Sequence, residues 1–128
     1  MAINTRRAVV YVAGPYRGPD AWAIECNIRR AEELALEVWR LGGIAICPHA
    51  NTRFFQGALP DAVWLVGDLE LLRRCDAVIV TGQWHRSEGT RAEINFANDL
   101  KIPVFFQLIA LDDWLHRVRV DSVEAARR

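Results

Sequence analysis

Four short runs of apolar residues, rich in Val and Ile, alternate with longer amphipathic segments along this chain. Short continuous apolar runs are typical of strands that are buried on both faces of a parallel sheet. Gly or Pro directly follows each of the first three runs, and these residues end regular structure. The pattern therefore predicts four strands, over residues 8–13, 44–47, 77–81 and 103–107.

The segments between and after these strands carry apolar residues at helical spacing. Asp20 is placed to cap the first helix, and Gly42 follows its last apolar position. Asp112 and Asp113 are expected to cap the C-terminal helix. The predicted helices cover residues 20–41, 60–72, about 90–100 and a tail from about 111 to 128.

Alternation of strands and helices predicts an α/β fold, with a parallel, Rossmann-like or flavodoxin-like sheet that carries helices on both faces. A chain of 128 residues is large enough for one core but too short for two, so residues 1–128 are expected to form a single domain. Ligands of such sheets bind beyond the carboxyl ends of the strands. The loops that follow the strands should therefore meet at one binding edge.

The segment Ser87-Glu88-Gly89-Thr90-Arg91-Ala92-Glu93 follows the third predicted strand and begins a helix. Unpaired N–H groups at a helix start favour a phosphate or another anion, and Ser87 and Gly89 are candidates to contact it. The same partial positive charge should keep Glu93 ionised, as a carboxylate nucleophile must be. Two interpretations of Glu93 stay open, because Thr90 and Glu93 also fit the capping-box pattern.

Two further polar residues interrupt apolar patterns. Asp68 lies among the apolar positions of the second helix, where a carboxylate either lines a cleft or pairs with an arginine such as Arg73. Tyr11 should face inward from a buried strand, where its hydroxyl needs a partner. A nearby carboxylate would serve, although a plain core role for Tyr11 explains the pattern as well.

The strand-end loops supply the remaining candidates. His49 follows the second strand and, without a second ligand at suitable spacing, is no metal site, so it is either a hydrogen-bond donor within the loop or a substrate contact. Trp84 is placed to stack on a base. Loops between glycines often hold substrate, and the loop after the first strand contributes Gly14, Pro15, Tyr16 and Arg17.

Composition narrows the class of protein. Lys plus Arg and Asp plus Glu both number 16, so a nucleic acid polymer is not an expected partner. The three cysteines are widely spaced and form no Cys-x-x-Cys motif, so neither a disulfide framework nor a zinc site is indicated. No apolar stretch suits a signal peptide or a membrane span. We therefore expect a cytoplasmic protein that does not bind membranes.

Several of these segments together resemble the nucleoside 2-deoxyribosyltransferase-like superfamily, in particular its small bacterial and phage members. The resemblance extends to about residue 107, with all motifs in the expected order. It rests on Tyr11-Val12-Ala13-Gly14-Pro15-Tyr16, Asp68-Leu69-Glu70-Leu71-Leu72, Cys75-Asp76-Ala77-Val78, Ser87-x-Gly89-x-x-x-Glu93 and Ile102-Pro103-Val104.

This resemblance implies a site and a reaction. Glu93 would attack the anomeric carbon of the sugar, Asp68 would assist proton transfer or hold the sugar, and Tyr11 would orient the nucleophile. Ser87 stands where the transferases carry Asp and the nucleotide N-glycosidase branch carries Ser. The implied function is cleavage or transfer of an N-glycosidic bond in a (deoxy)nucleoside or its 5′-monophosphate, with hydrolysis favoured and no metal or organic cofactor.

Two other functions stay open from the sequence. The chain could be a nucleotide-binding sensor that kept the fold without turnover, or Glu93 could be only a helix cap. The resemblance also implies a homodimer or a higher homo-oligomer. The apolar Phe54-Phe55 pair and Trp114 support the same expectation, because a small monomer has little need of apolar residues in its loops and tail.

Overall fold

The computed structural model describes residues 3–127, with side chains as far as Arg119. Its centre is a sheet of four parallel strands in the order β2-β1-β3-β4. The predicted α/β fold with a parallel sheet is confirmed. The strands are β1 (Val9–Ala13), β2 (Ile44–Ile46), β3 (Ala77–Val80) and β4 (Val104–Phe105).

Five helices accompany the sheet: α1 (Ala21–Arg40), α2 (Pro48–Asn51), α3 (Asp61–Arg73), α4 (Glu88–Asp99) and α5 (Leu108–Arg127), with a 3₁₀ turn at Trp84–Arg86. The expected start of the C-terminal helix was wrong. Because α5 begins at Leu108, Asp112 and Asp113 lie inside the helix and do not cap it. Residue 128, the predicted end of this helix, lies outside the described residues.

Alternate residues of a strand point to opposite faces of the sheet, and different helices cover the two faces. Val10 and Val12 of β1 pack with α1 and α5 on one face. Tyr11 and Ala13 pack with α3 and α4 on the other face. All four strand residues are completely buried, so β1 is the centre of two apolar layers. Tyr11 is thereby placed on the same face as α3 and α4.

The direction of the chain across the sheet reverses between β1 and β3. The first crossover leads from β1 to β2 on one side, and the next leads back past β1 to β3. Gly14 allows the ends of these two strands to approach closely, because a Cβ atom on Gly14 would lie 2.1 Å from Thr81 Oγ1. The loops after β1 and β3 therefore flank the topological switch point, where ligands of such sheets bind.

Helix α3 and the loop before it carry several exposed apolar side chains. Only Leu72 of this helix is buried, and the Phe55 ring from the preceding loop lies 6.0 Å from that of Trp64. We call this surface the α3 patch; it consists of Phe54, Phe55, Leu59, Val63, Leu65 and Val66. Trp114, expected in a similar role, packs instead against Phe105. No helix in the described part of the chain is both long and apolar enough to cross a bilayer.

Candidate active site

A cleft of about 1350 Å³ opens at the switch point. It is larger than most small-molecule pockets, which measure roughly 300–1,000 Å³. The loop after β1, the start of α2, helix α3 and the start of α4 form its walls. The structure brings most of the predicted site residues together here: Glu93, Asp68, Gly14, Pro15, Tyr16, Arg17, His49, Ser87 and Gly89 all line the cleft.

Ser87, and not Thr90, caps helix α4. The Ser87 hydroxyl oxygen accepts the backbone N–H of Thr90 at 3.2 Å and the Thr90 hydroxyl at 2.8 Å. The capping-box interpretation of Thr90 and Glu93 is therefore wrong. Glu93 lies more than one turn into the helix, too far along to reach back to the cap. Glu93 lines the cleft instead, so its carboxyl group is within reach of a ligand there.

Burial decides the protonation of Glu93. Burial raises the pKa of Glu93 from 4.5 to about 7; the Tyr11 hydroxyl opposes this rise, and the charge of Asp68 adds to it. The expectation that the partial positive charge at the helix start keeps Glu93 ionised was wrong, because the pKa is raised and not lowered. The favourable helix dipole falls off within the first turn, and the loss of solvent outweighs it.

Tyr11 contributes a hydroxyl that stays protonated. Burial, and then the charge of Glu93, raises the pKa of Tyr11 far above its ordinary value. Among the described residues, no acceptor meets regular hydrogen-bond geometry with this buried hydroxyl. Glu93 is nevertheless close enough for each of the two groups to perturb the pKa of the other. The hydroxyl is thus a donor without a regular partner, beside a carboxylate.

Asp68 is the second acid of the cleft. Burial raises the pKa of Asp68 to about 6. The possible ion pair with Arg73 is not formed, because Arg73 binds Glu70 at 2.6 Å. Within the part of the chain that the structure describes, Asp68 has no salt-bridge partner. It therefore faces the cleft as an uncompensated carboxyl group that lies near Glu93.

The loop after β1 is fixed from two sides. His49 Nε2 lies 3.0 Å from the carbonyl oxygen of Pro15, so this nitrogen carries the proton and donates. Burial lowers the pKa of His49, which favours the neutral form of the ring. Asn27 Nδ2 donates to the carbonyl oxygens of Tyr16 and Arg17, at 3.1 Å each. Loop residues are thereby held in place before any ligand arrives.

Sequence reasoning misplaced one site residue and missed others. Trp84 does not line the cleft; its ring packs against Phe106, with 5.2 Å between the ring centroids. The neighbouring His85 and Arg86 face the cleft instead. Asn27 was also missed, although an amide between the apolar Ile24 and Ile28 on a partly buried helix face was a usable signal.

The paired acids define what this site can do chemically. Glu93 and Asp68 have pKa values of about 7 and about 6, so between these values the pair holds a single proton. One carboxylate can then act as a nucleophile or base while the other donates a proton. In the described part of the chain, no three His, Cys, Asp or Glu side chains are grouped as metal ligands.

The four-stranded sheet and its switch-point cleft define an α/β protein with the topology of flavodoxin-like folds. The family model described as "Domain of unknown function (DUF7768)" matches residues 8–107. The chain therefore belongs to this family. The match extends from β1 through β4 and includes the whole cleft, whereas α5 lies beyond it. No curated protein sequence shows significant similarity to the chain.

The fold is similar to that of a 2-deoxyribosyltransferase from the psychrotolerant bacterium Bacillus psychrosaccharolyticus. The TM-score is 0.55 at 21% sequence identity, over 76% of this chain and 69% of that chain. That protein is described as a biocatalyst for the synthesis of antiviral and antitumoral nucleosides. At this identity the match concerns the fold, and at that level it agrees with the resemblance found in the sequence.

Proposed function

We propose that this protein cleaves or transfers the N-glycosidic bond of a (deoxy)nucleoside or a nucleoside 5′-monophosphate. The observation that carries the proposal is the position of Glu93, which lies in the switch-point cleft beside a second carboxyl group and a protonated tyrosine. The fold similarity to a 2-deoxyribosyltransferase supports the same class of reaction. Glu93 would be the nucleophile, Asp68 the acid and base, and Tyr11 the group that orients Glu93.

In the reactive form of the acid pair the single proton lies on Asp68, which is the less populated arrangement because Glu93 has the higher pKa. In the first step the ionised Glu93 attacks C1′ of the sugar. The C1′–N bond breaks, and its electron pair leaves with the base nitrogen, which takes the proton of the Asp68 carboxyl group. A glycosyl ester of Glu93, a neutral free base and an ionised Asp68 result. Positive charge develops on the sugar in the transition state, and the ionised Glu93 stabilises it.

In the second step a water molecule, or the nitrogen of another base, attacks C1′. The ester C1′–O bond breaks, its electrons return to the Glu93 carboxylate, and Asp68 takes the proton of the attacking group. Two successive inversions at C1′ give overall retention of configuration. The Tyr11 hydroxyl lies close enough to Glu93 to oppose the rise of its pKa, so it would orient the carboxylate and favour its ionised form.

The start of α4 suits the 5′ substituent of the sugar. The N–H groups of Glu88 and Gly89 have no partner among the described residues, and nothing lies within 4 Å of a Cβ position on Gly89. Ser87 accepts two hydrogen bonds from Thr90, so its own proton is left for a ligand. These donors favour a phosphate and, with it, the hydrolytic branch, whereas the exposed Glu88 carboxylate opposes a dianion.

The test is to incubate the protein with a panel of nucleosides and their 5′-monophosphates and to measure by chromatography the free base that is released. We expect Glu93→Gln to lose several orders of magnitude in rate while it still binds substrate, because it removes the nucleophile. Glu37→Gln, the same change at an exposed α1 position, should leave the rate unchanged. The kcat/KM of the active protein should fall both below pH 6 and above pH 7, since catalysis needs one proton on the acid pair.

Three outcomes separate the alternatives. Base release that depends on Glu93, with a sugar adduct on Glu93 in the intact protein mass, supports the proposed reaction. Binding of nucleotides without any base release would instead identify a sensor. Normal turnover by Glu93→Gln would refute the nucleophile, whichever substrate is used.

A further inference from the structure

Arg17 and Asp61 form an ion pair at the mouth of the cleft. Arg17 lies in the loop after β1, and Asp61 is the first residue of α3, so the pair joins two separate walls. Both residues line the cleft, and their side chains are 74% and 59% exposed. Anything that enters the cleft with a charge of its own meets this pair at the surface.

The cleft has more acidic than basic side chains. Four carboxyl groups line it, on Asp61, Asp68, Glu88 and Glu93, against the two guanidinium groups of Arg17 and Arg86. Asp61 already occupies Arg17, and Arg86 is the one cleft arginine without an ion pair in the described part of the chain. An anionic ligand therefore competes with Asp61 for Arg17, one of the two arginines in the cleft.

We propose that Asp61 determines the specificity of the cleft for anionic against neutral ligands, because it holds Arg17 in an exchangeable ion pair. A phosphate group that binds Arg17 must displace Asp61 from it, whereas an uncharged ligand leaves the pair intact. The proposal rests on the proposed function only for the ligand class, a nucleoside with or without its 5′-phosphate. Asp61 is thus a specificity-determining residue and takes no part in bond cleavage.

Exchange of partners requires only side-chain rotation. The carbonyl oxygens of Tyr16 and Arg17 accept from Asn27, and that of Pro15 accepts from His49, so the backbone that carries Arg17 is already fixed. After Arg17 leaves, the positive N-terminal end of α3 still stabilises the Asp61 carboxylate. Neither partner is left as an uncompensated buried charge, since both side chains are exposed.

The size of the effect follows from this exposure. An exposed ion pair contributes a factor of about one to five to an equilibrium constant, whereas an arginine–phosphate contact is charge-assisted and frequently bidentate. A phosphate therefore wins the competition, but Asp61 weakens its binding. Removal of the Asp61 charge should tighten phosphate binding by about twofold to fivefold, and it should not change the binding of an uncharged nucleoside.

Inorganic phosphate is a suitable first probe, because it carries the charge but cannot be turned over. Its apparent Kd can be measured from the rise of the melting temperature with phosphate concentration, at constant ionic strength. We expect Asp61→Asn to bind phosphate about twofold to fivefold more tightly than the unmodified protein. Arg17→Met should weaken binding, and Asp61→Asn combined with Arg17→Met should show no gain over Arg17→Met alone.

Glu37→Gln is the matched control, since it removes a carboxylate from another exposed pair, with Arg40 on α1. The proposal is overturned if Asp61→Asn binds phosphate no better than the unmodified protein, if it binds none at all, or if the gain persists without Arg17. An equal gain in Glu37→Gln would also overturn it, as an effect of net charge. None of these measurements involves base release, so failure of the proposed reaction would remain a separate result.

Discussion

Glu93 holds its proton more tightly than a carboxyl group in water, because burial removes the solvent that would stabilise the charge. The folded chain therefore binds this proton at pH values where the unfolded chain has released it. Stability must then fall as the pH rises from about 4.5 to about 7, and no further loss from this group follows above that range. The ionised form of the proposed nucleophile therefore destabilises the fold.

Glu93→Gln should consequently raise the stability of the protein at pH 8.5 by about 1–3 kcal/mol. Glutamine keeps the shape of the side chain but has no charge to bury. At about pH 3.5, one unit below the ordinary pKa of 4.5, Glu93 is protonated in both states, and the difference between the two proteins should nearly disappear. Chemical denaturation at the two pH values measures this difference directly.

Glu88→Gln provides the opposite case in the same helix. Glu88 is exposed in the first turn of α4, where a negative charge is favourable, so its removal should cost about 0.3–1 kcal/mol. If Glu93→Gln were also less stable at pH 8.5, Glu93 would be stabilising its helix, and the unfavourable burial described for its charge would be wrong.

At the scale of elements, the contact between the ends of β1 and β3 permits one small residue only. A Cβ atom on Gly14 would lie 2.1 Å from Thr81 Oγ1 and 3.0 Å from two Thr81 carbon atoms. Thr81 is itself buried and bonded through its N–H to Ala13, so the whole residue has little room to move. The two loops that flank the cleft are thus held together at this contact.

Gly14→Ala should destabilise the protein by about 1–3 kcal/mol or more, because overpacking a buried contact forces the backbone to shift. Thr81→Ala should be less harmful in the Gly14→Ala background than in the natural chain, which a double-mutant cycle of unfolding free energies would show. Gly89→Ala is the control: its Cβ would meet nothing within 4 Å, and Ala is the better helix former. Equal losses at Gly14 and Gly89 would contradict this account.

The sequence was sufficient for the strands but not for every helix start. Continuous apolar runs have few alternatives to buried strands, and the predicted sheet is present. The start of α4 depends on which hydroxyl caps the helix. Ser87 and Thr90 have similar intrinsic preferences for the capping position, and Thr90 is buried, at 1% exposure, in the folded chain. The raised pKa of Glu93 could not be predicted from the sequence either, because the burial of Glu93 depends on α3 and β1, which are remote in sequence.

At the scale of the whole molecule, the α3 patch exposes apolar side chains to water if the chain is a monomer. Phe54, Leu65 and Val66 are 85%, 44% and 66% exposed. Phe54 also has a positive φ of 68°, an unfavourable conformation for a bulky residue. Apolar surfaces of this kind are common at symmetric interfaces. We infer that two copies of the chain meet through the α3 patch.

The protein should therefore elute as a dimer of 14.5 kDa chains in light-scattering measurements at micromolar concentration. Val66→Glu should dissociate the dimer, since it would bury two charges at the interface. Ile109→Glu places the same charge on α5, which packs on the opposite face of the sheet, at a residue that is 71% exposed. It should leave the dimer intact. A monomeric natural chain would exclude this interface.

The strand order also has a consequence for synthesis. Strand β1 is made first, yet it ends in the middle of the sheet, between β2 and β3. At translation rates on the order of 5–20 residues per second, several seconds pass before β3 is available. During this time one edge of an apolar strand has no partner and can pair with other chains. The central strand is thus the segment of the nascent chain that most needs protection by the ribosome or a chaperone.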